Sequence, residues 1–137
     1  MVTDRLYLVA GSLAHRLNES LPQVATLLET DLDVEREGVH VRVQVGTIQH
    51  YSFIESESIT TEIDRSPWAS SPRKVFVMNG YMSDTTWSQF VCDYITSEVE
   101  YMVSINKANN EAYAVTPTIN DLAKSQAESE QTGFSLA

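Results

Sequence analysis

Two periods of apolar residues divide this chain, one helical and one of two residues, and each change of period marks a change of element. From Thr3 or Asp4 to about Asn18 the apolar positions are Leu6, Leu8, Val9, Leu13 and Leu17, with Tyr7 and Ala10 between them. This spacing predicts an amphipathic helix with Thr3 or Asp4 as its N-cap and Gly11 as a weak point. Glu19-Ser20-Leu21-Pro22 ends it, because a residue before proline is pushed out of the α region. A second short helix is expected from Pro22 through Val24, Ala25, Leu27 and Leu28, with proline at its first position.

The period then falls to two. Glu29, Asp31, Asp33, Glu35 and Glu37 occupy alternate positions, and Val39, Val41, Val43 and Val45 continue the rhythm. A single straight strand would put carboxylates and valines on one face, so a reversal is predicted at Arg36-Glu37-Gly38, with Gly38 supplying the positive φ. Leu32 and Val34 then face the same core as the valines, and the acidic ladder faces away from it. The second strand is expected to run past Gly46 to Phe53 or Ile54, with a bulge at Gly46 absorbing the shift of apolar parity. Ile59, Thr61 and Ile63 alternate with Thr60, Glu62 and Asp64 as a further strand. Residues 66–72, with two prolines and three serines, form a loop. Lys74 to Met78 is a short strand with apolar residues on both faces, and Asn79-Gly80 is a turn.

Ser83 or Asp84 can cap a helix whose apolar stripe is Trp87, Phe90, Val91, Tyr94 and Ile95. From Val99 the spacing of Tyr101, Val103 and Ile105 returns to two, and the loop Asn106 to Asn110 precedes Tyr113 and Val115. A closing hairpin is therefore expected, ended by Pro117. Residues 120–137 are polar apart from Leu122, Phe134 and Leu136, which predicts a tail. The fold class is α+β: an antiparallel sheet of hairpins packed against an N-terminal helix and a second, central helix. One domain spans 1–119 and a polar C-terminal tail or arm spans 120–137.

At 137 residues the chain is long enough to bury a core without staples, and its composition is ordinary except in sign. Nineteen carboxylates against nine Lys and Arg give a net charge of -10. Such a charge repels phosphate backbones, so neither direct high-affinity nucleic-acid binding nor docking on an anionic membrane is expected. Cys92 is the lone cysteine, which rules out an intrachain disulfide and a thiolate zinc site. The first residues read as neither a secretory signal nor a membrane span, and the expected place is the cytoplasm or a particle assembled there.

Asp31, Asp33, Glu35 and Glu37 invite a calcium reading, but Arg36 stands at the sixth position of the loop, where an EF-hand needs glycine, and Arg42 at the twelfth, where it needs glutamate. The ladder reads better as a solvated strand face that deters edge-to-edge aggregation, or as a surface that docks onto basic side chains of a neighbour. His15, His40 and His50 lack ligand spacing, and His40 shares the polar face of its strand with Arg42 and Gln44. Cys92 is a small residue beside the helical stripe, and the pairs Glu55 with Glu57 and Glu98 with Glu100 arise freely in an acidic chain. No nucleophile or phosphate-binding motif stands in the sequence, so neither an enzyme nor a bound cofactor or metal is expected. Trp87 belongs to the core. Trp68, between Pro67 and Pro72, is either an exposed interface anchor or a lid folded over the core.

The helix Arg5 to Leu17, the strand Val39 to Val45, the helix Asp84 to Ile95 and a final strand Glu111 to Val115 follow one another in an order that resembles the small tail-completion and tail-terminator proteins of long-tailed bacteriophages. The resemblance is one of size, acidity and element order over the first 119 residues, without a shared motif. It implies a non-enzymatic virion subunit that forms a homo-oligomeric ring, sixfold in such families, at the head-tail junction, with other tail or neck proteins as partners. Asp31, Asp33, Glu35, Glu37, Trp68, Phe134 and Leu136 are the interface residues this reading singles out. The alternative is a small acidic inhibitor that imitates phosphate to block a DNA- or RNA-handling enzyme.

Overall fold

The computed structural model describes residues 2–64 and 73–115, with side chains through residue 106. The elements are α1 (Asp4–Ser20), β1 (Thr26–Asp33), β2 (Gly38–Val45), β3 (Ile48–Ile54), β4 (Ser58–Asp64), β5 (Lys74–Val77) and α2 (Asp84–Val115). The strands form one antiparallel sheet in the order β1-β2-β3-β4-β5, so the fold is α+β, with an N-terminal helix, a sheet of consecutive hairpins and a second helix. The chain divides into two compact units, Met1–Val103 and Ser104–Ala137. The sheet and its core lie in the first.

Helix α1 begins as predicted. The Thr3 hydroxyl accepts from the Leu6 amide at 3.3 Å, which satisfies one of the amides a helix start leaves open. Leu6, Val9, Leu13 and Leu17 are fully buried along its inner face, which packs over β1 and β2. The segment expected to form a second helix after Pro22 is instead a turn followed by β1: Thr26 and Leu27 pair with Gln44 and Val43. Ladder pairing with the valine strand outweighs a weak local helical preference.

The first hairpin reverses over residues 34–37 and not 36–38, and Glu37, one residue before the predicted Gly38, takes the positive φ of 54°. Gly38 is the first residue of β2, buried and paired with Asp33. Leu32 packs against the core as expected, whereas Val34 lies in the turn and is exposed. The valines of β2 are all buried.

No bulge interrupts one long strand at Gly46. Gly46, at φ 61°, and Thr47 are a two-residue reversal, with Val45 paired to Ile48. Glycine at the first loop position is the mark of a tight hairpin whose twist suits its strands. Such a loop moves the core face from odd to even residues, so Ile48, His50, Ser52 and Ile54 face inward while Gln49, Tyr51 and Phe53 face outward. The irregularity of this sheet lies instead in β1, between Leu27 and Glu29.

Strands β4 and β5 follow as predicted, with Ile59 and Thr61 buried. Ser83 Oγ accepts from the Thr86 amide at 3.2 Å and caps α2. Trp87, Val91, Ile95, Val99 and Met102 are buried on one side of that helix, and the Trp87 indole donates to the Glu55 carbonyl at 3.2 Å. The closing hairpin does not form, and the backbone of 99–115 continues α2. Ile95, Val99 and Met102 complete an i, i+4, i+7 stripe, and Tyr101, an inward position in the strand reading, is exposed. Both helices lie on one face of the sheet, joined by Ser12 with Ser88 at 3.1 Å and Ser20 with Thr96 at 2.8 Å. The opposite face is covered by no described element.

Candidate functional site

The uncovered face of the sheet receives the acidic ladder, and the fold breaks that ladder in two. Glu29, Asp31 and Asp33 stand beside Arg42 and His40 of β2. Arg42 Nε lies 3.3 Å from Glu29 Oε1, and His40 Nε2 lies 2.8 Å from Asp33 Oδ2. Asp33 Oδ1 also accepts from the Arg36 amide at 3.0 Å, so one carboxylate both closes the turn and anchors His40. The His40 hydrogen bond, and after it the Arg36 amide, hold the Asp33 carboxyl below its ordinary range. His40 Nδ1 meets the Tyr51 hydroxyl at 2.6 Å, and the Arg42 guanidinium lies 4.7 Å from the Tyr51 ring centre. The partners that meet this part of the ladder thus come from the chain's own neighbouring strand, and Asp31 stays exposed among them.

Glu35 and Glu37 lie elsewhere, in the exposed turn between β1 and β2. They share a shallow depression with Arg36, with Glu55, Ser56 and Glu57 from the turn between β3 and β4, and with Ser58 at the start of β4. Two sequence-distant acidic pairs therefore make one acidic end of the sheet. Sequence spacing could not show this, because the proximity is made by the β2–β3 pairing. Trp68, Phe134 and Leu136 lie outside the described residues.

Two further clusters escaped the sequence reading. His50 is wholly buried on the inner face of β3, and its Nε2 lies 3.0 Å from Glu98 Oε1. Lys74 Nζ reaches Glu98 Oε2 at 2.6 Å from the edge strand. The His50 hydrogen bond, opposed by desolvation and helped by Lys74, lowers the Glu98 carboxyl to about 2. An ionised carboxylate only accepts, so Nε2 of His50 carries a proton, and Ser52 Oγ stands 3.4 Å from Nδ1. The second cluster is Arg5, buried on α1. Its Nε donates to Asp84 Oδ1 at 2.9 Å, and its two other nitrogens donate to the carbonyl of Ser56 at 2.7 Å and to the carbonyl of Met82. One guanidinium thereby ties α1 to the β3–β4 turn and to the start of α2. The available signals were positional: Arg5 is at helical spacing with Val2, Leu6 and Val9, and His50 falls on the inward parity once the Gly46 reversal is recognised.

Ser52, His50 and Glu98 have the composition of a hydrolytic triad. Ser52 and His50 have no exposed surface at all, and a nucleophile needs space for substrate beside its hydroxyl. The arrangement therefore anchors α2 to the sheet. Among the described residues no group of three or more His, Cys, Asp or Glu is placed to hold a metal ion, and no helix is long and apolar enough to cross a membrane.

Compared with known proteins, the chain matches no family model, no curated protein and no solved structure.

Proposed function

We propose that the chain is a non-enzymatic virion structural subunit, a tail-terminator or neck-like protein that assembles with copies of itself into a ring at the end of a phage tail tube. The observation that carries this reading is the two-sided sheet: helices cover one face, and the other, with no described element over it, presents Glu29, Asp31, Asp33 and Glu62 against the two arginines Arg42 and Arg73, a surplus of carboxylates with Asp31 exposed. A wall of this kind suits a subunit that lines a passage, because like charge keeps DNA from adhering as it moves. The order of helix, strands and helix fits the resemblance, while the strand expected at Glu111 to Val115 is helical and no longer contributes to it. Ring formation requires each subunit to offer one surface and receive with another. Light scattering of the full chain, with and without magnesium, tests the reading. A ring-sized mass supports it, and reversal of Asp31, Asp33 and Glu35 to lysine is then expected to abolish assembly or stall DNA passage. Unchanged particle yield and infectivity in that variant would sink it.

The acidic end made by Glu35, Glu37, Glu55 and Glu57 favours a second reading, an inhibitor that imitates phosphate before a basic enzyme. Such a protein acts as a monomer or dimer, and its capture of the enzyme falls steeply with added salt. A ring subunit shows self-association instead.

A further inference from the structure

The two edges of the sheet are built differently. Strand β1 carries Glu29, Asp31 and Asp33 and an irregularity at Leu27/Glu29, devices that discourage another strand from pairing there. Strand β5 is apolar on both faces. Val75 and Val77 are 61% and 64% exposed on the uncovered face of the sheet. On the other face Phe76 packs on Phe90 and Tyr94 of α2, with ring centres at 4.8 and 5.7 Å, and all three rings are only half-buried. The cations at the start of this edge are already matched, Lys74 by Glu98 at 2.6 Å and Arg73 by Glu62 at 3.0 Å. In a chain of net charge -10, charge is locally balanced beside this edge, and like copies can approach there with little repulsion.

We infer that β5 is the docking edge for a second copy of this chain, which pairs its own β5 antiparallel across a two-fold axis. Residues directly opposite in an antiparallel pair share a face. With the axis at Phe76, the two Phe76 side chains meet on the helix-covered face, and each Val75 meets the partner subunit's Val77 on the other. Apolar residues then meet apolar residues at 75, 76 and 77, and each Lys74 falls opposite the partner subunit's Met78. The two Arg73 side chains fall about 20 Å apart by strand rise, beyond the screening length at physiological salt. The other edge is a poorer occupant, because β1 would set Glu29 or Asp31 against the valines. A four-residue strand with its flanking rings buries less than the roughly 800 Å² per partner of a standard interface, so the pair dissociates on dilution. This contact is independent of the ring: it requires a mass of two chains, where the ring requires a larger one.

The test is sedimentation of the full chain over a dilution series reaching about 1 mM, a concentration that detects association with a dissociation constant of that order. The expected result is a mass of two chains that falls to one on dilution. Val75→Lys and Val77→Lys each weaken the association at least tenfold, with the melting temperature unchanged because both positions are exposed in the single chain. Leu28→Lys on β1 leaves the association as it was. A chain that stays monomeric throughout overturns the inference, as does a dimer indifferent to both valine substitutions. A ring-sized mass indifferent to them overturns it too while leaving the ring standing, and a ring destroyed by them assigns the β5 edge to an unlike surface and overturns the two-fold pairing.

Discussion

The ring of Phe53 occupies the space that a side chain at residue 38 would fill. A Cβ added to Gly38 would meet Cε1 and Cε2 of that ring at 2.6 and 2.8 Å and overlap Cζ. Phe53 lies on the uncovered face of the sheet and is nevertheless only 7% exposed, because Gly38 receives it from below and the Arg36 guanidinium lies 4.7 Å from its centre. Gly38 is thus required for close approach and not for its backbone angles. Gly38→Ala is expected to cost about 1–3 kcal/mol by overpacking. Adding Phe53→Leu should recover most of that loss, and urea unfolding of the single and double variants measures both.

Arg5 predicts a larger loss. Removing its side chain strands the carbonyls of Ser56 and Met82 and frees the start of α2 from α1. Arg5→Ala should destabilise by about 3 kcal/mol, the scale for breaking a buried, multiply bonded charge. Arg5→Lys should restore less than half, because an ammonium cannot span three acceptors in the plane of a guanidinium. Thermal unfolding of both variants ranks them; equal stability of Lys and Arg would show that charge alone matters here.

Glu98 predicts the acid limb of the stability curve. Its carboxyl titrates at about 2 in the folded chain against an ordinary 4.5, so its contribution is complete above pH 4.5 and is lost as pH falls from there toward 2. Asp33, also lowered, acts in the same direction. Glu98→Gln should cost about 1–2 kcal/mol at pH 7, a figure discounted for the solvent that reaches the carboxylate. The gap between the two chains should close as the pH approaches 2. Urea unfolding at pH 7, 4 and 3 is the measurement, and a gap that does not narrow would mean that the His50 and Lys74 contacts do not hold the proton off.

Glu37 and Gly46 make an opposed pair. Both have positive φ, 54° and 61°, but only one is glycine. Left-handed backbone costs a side-chain-bearing residue about 1–2 kcal/mol, partly offset when glycine also loosens the unfolded chain. Glu37→Gly should therefore stabilise by about 0.5 kcal/mol and Gly46→Ala should destabilise by about 1 kcal/mol. Chemical denaturation midpoints read both signs.

The elements that could be read from the sequence are those where burial follows one period without interruption. Leu6, Val9, Leu13 and Leu17 announced α1, the four valines announced β2, and Trp87 to Ile95 announced the first half of α2. Besides the first hairpin, whose positive φ falls on Glu37 and not Gly38, three places misled. At Gly46 a change of parity fits both a bulge and a two-residue turn, and only the Val45–Ile48 pairing decides between them. At Thr26 and Leu27 the ladder partners, Gln44 and Val43, lie well downstream. At Val99 a strand pattern and a helical stripe share residues, and the outward Tyr101 separates them only in three dimensions. The candidate site divides in the same way: Asp31 and Asp33 face outward as their alternation requires, but the meeting of Glu35 and Glu37 with Glu55 and Glu57 depends on two turns brought to one end of the sheet.

The strand order has a consequence for how this chain is made. Each strand pairs with the one synthesised just before it, so the sheet can zip up hairpin by hairpin behind the ribosome with little loop-closure entropy. Its apolar covering does not arrive on the same schedule. Helix α1 is present from the start to shelter β1 and β2, whereas Phe76 waits for Phe90 and Tyr94 of α2, which follows the whole sheet in the chain. A nascent chain that has reached β5 therefore shows a finished five-strand ladder with part of its inner face still wet, and that interval is when a chaperone has something to hold.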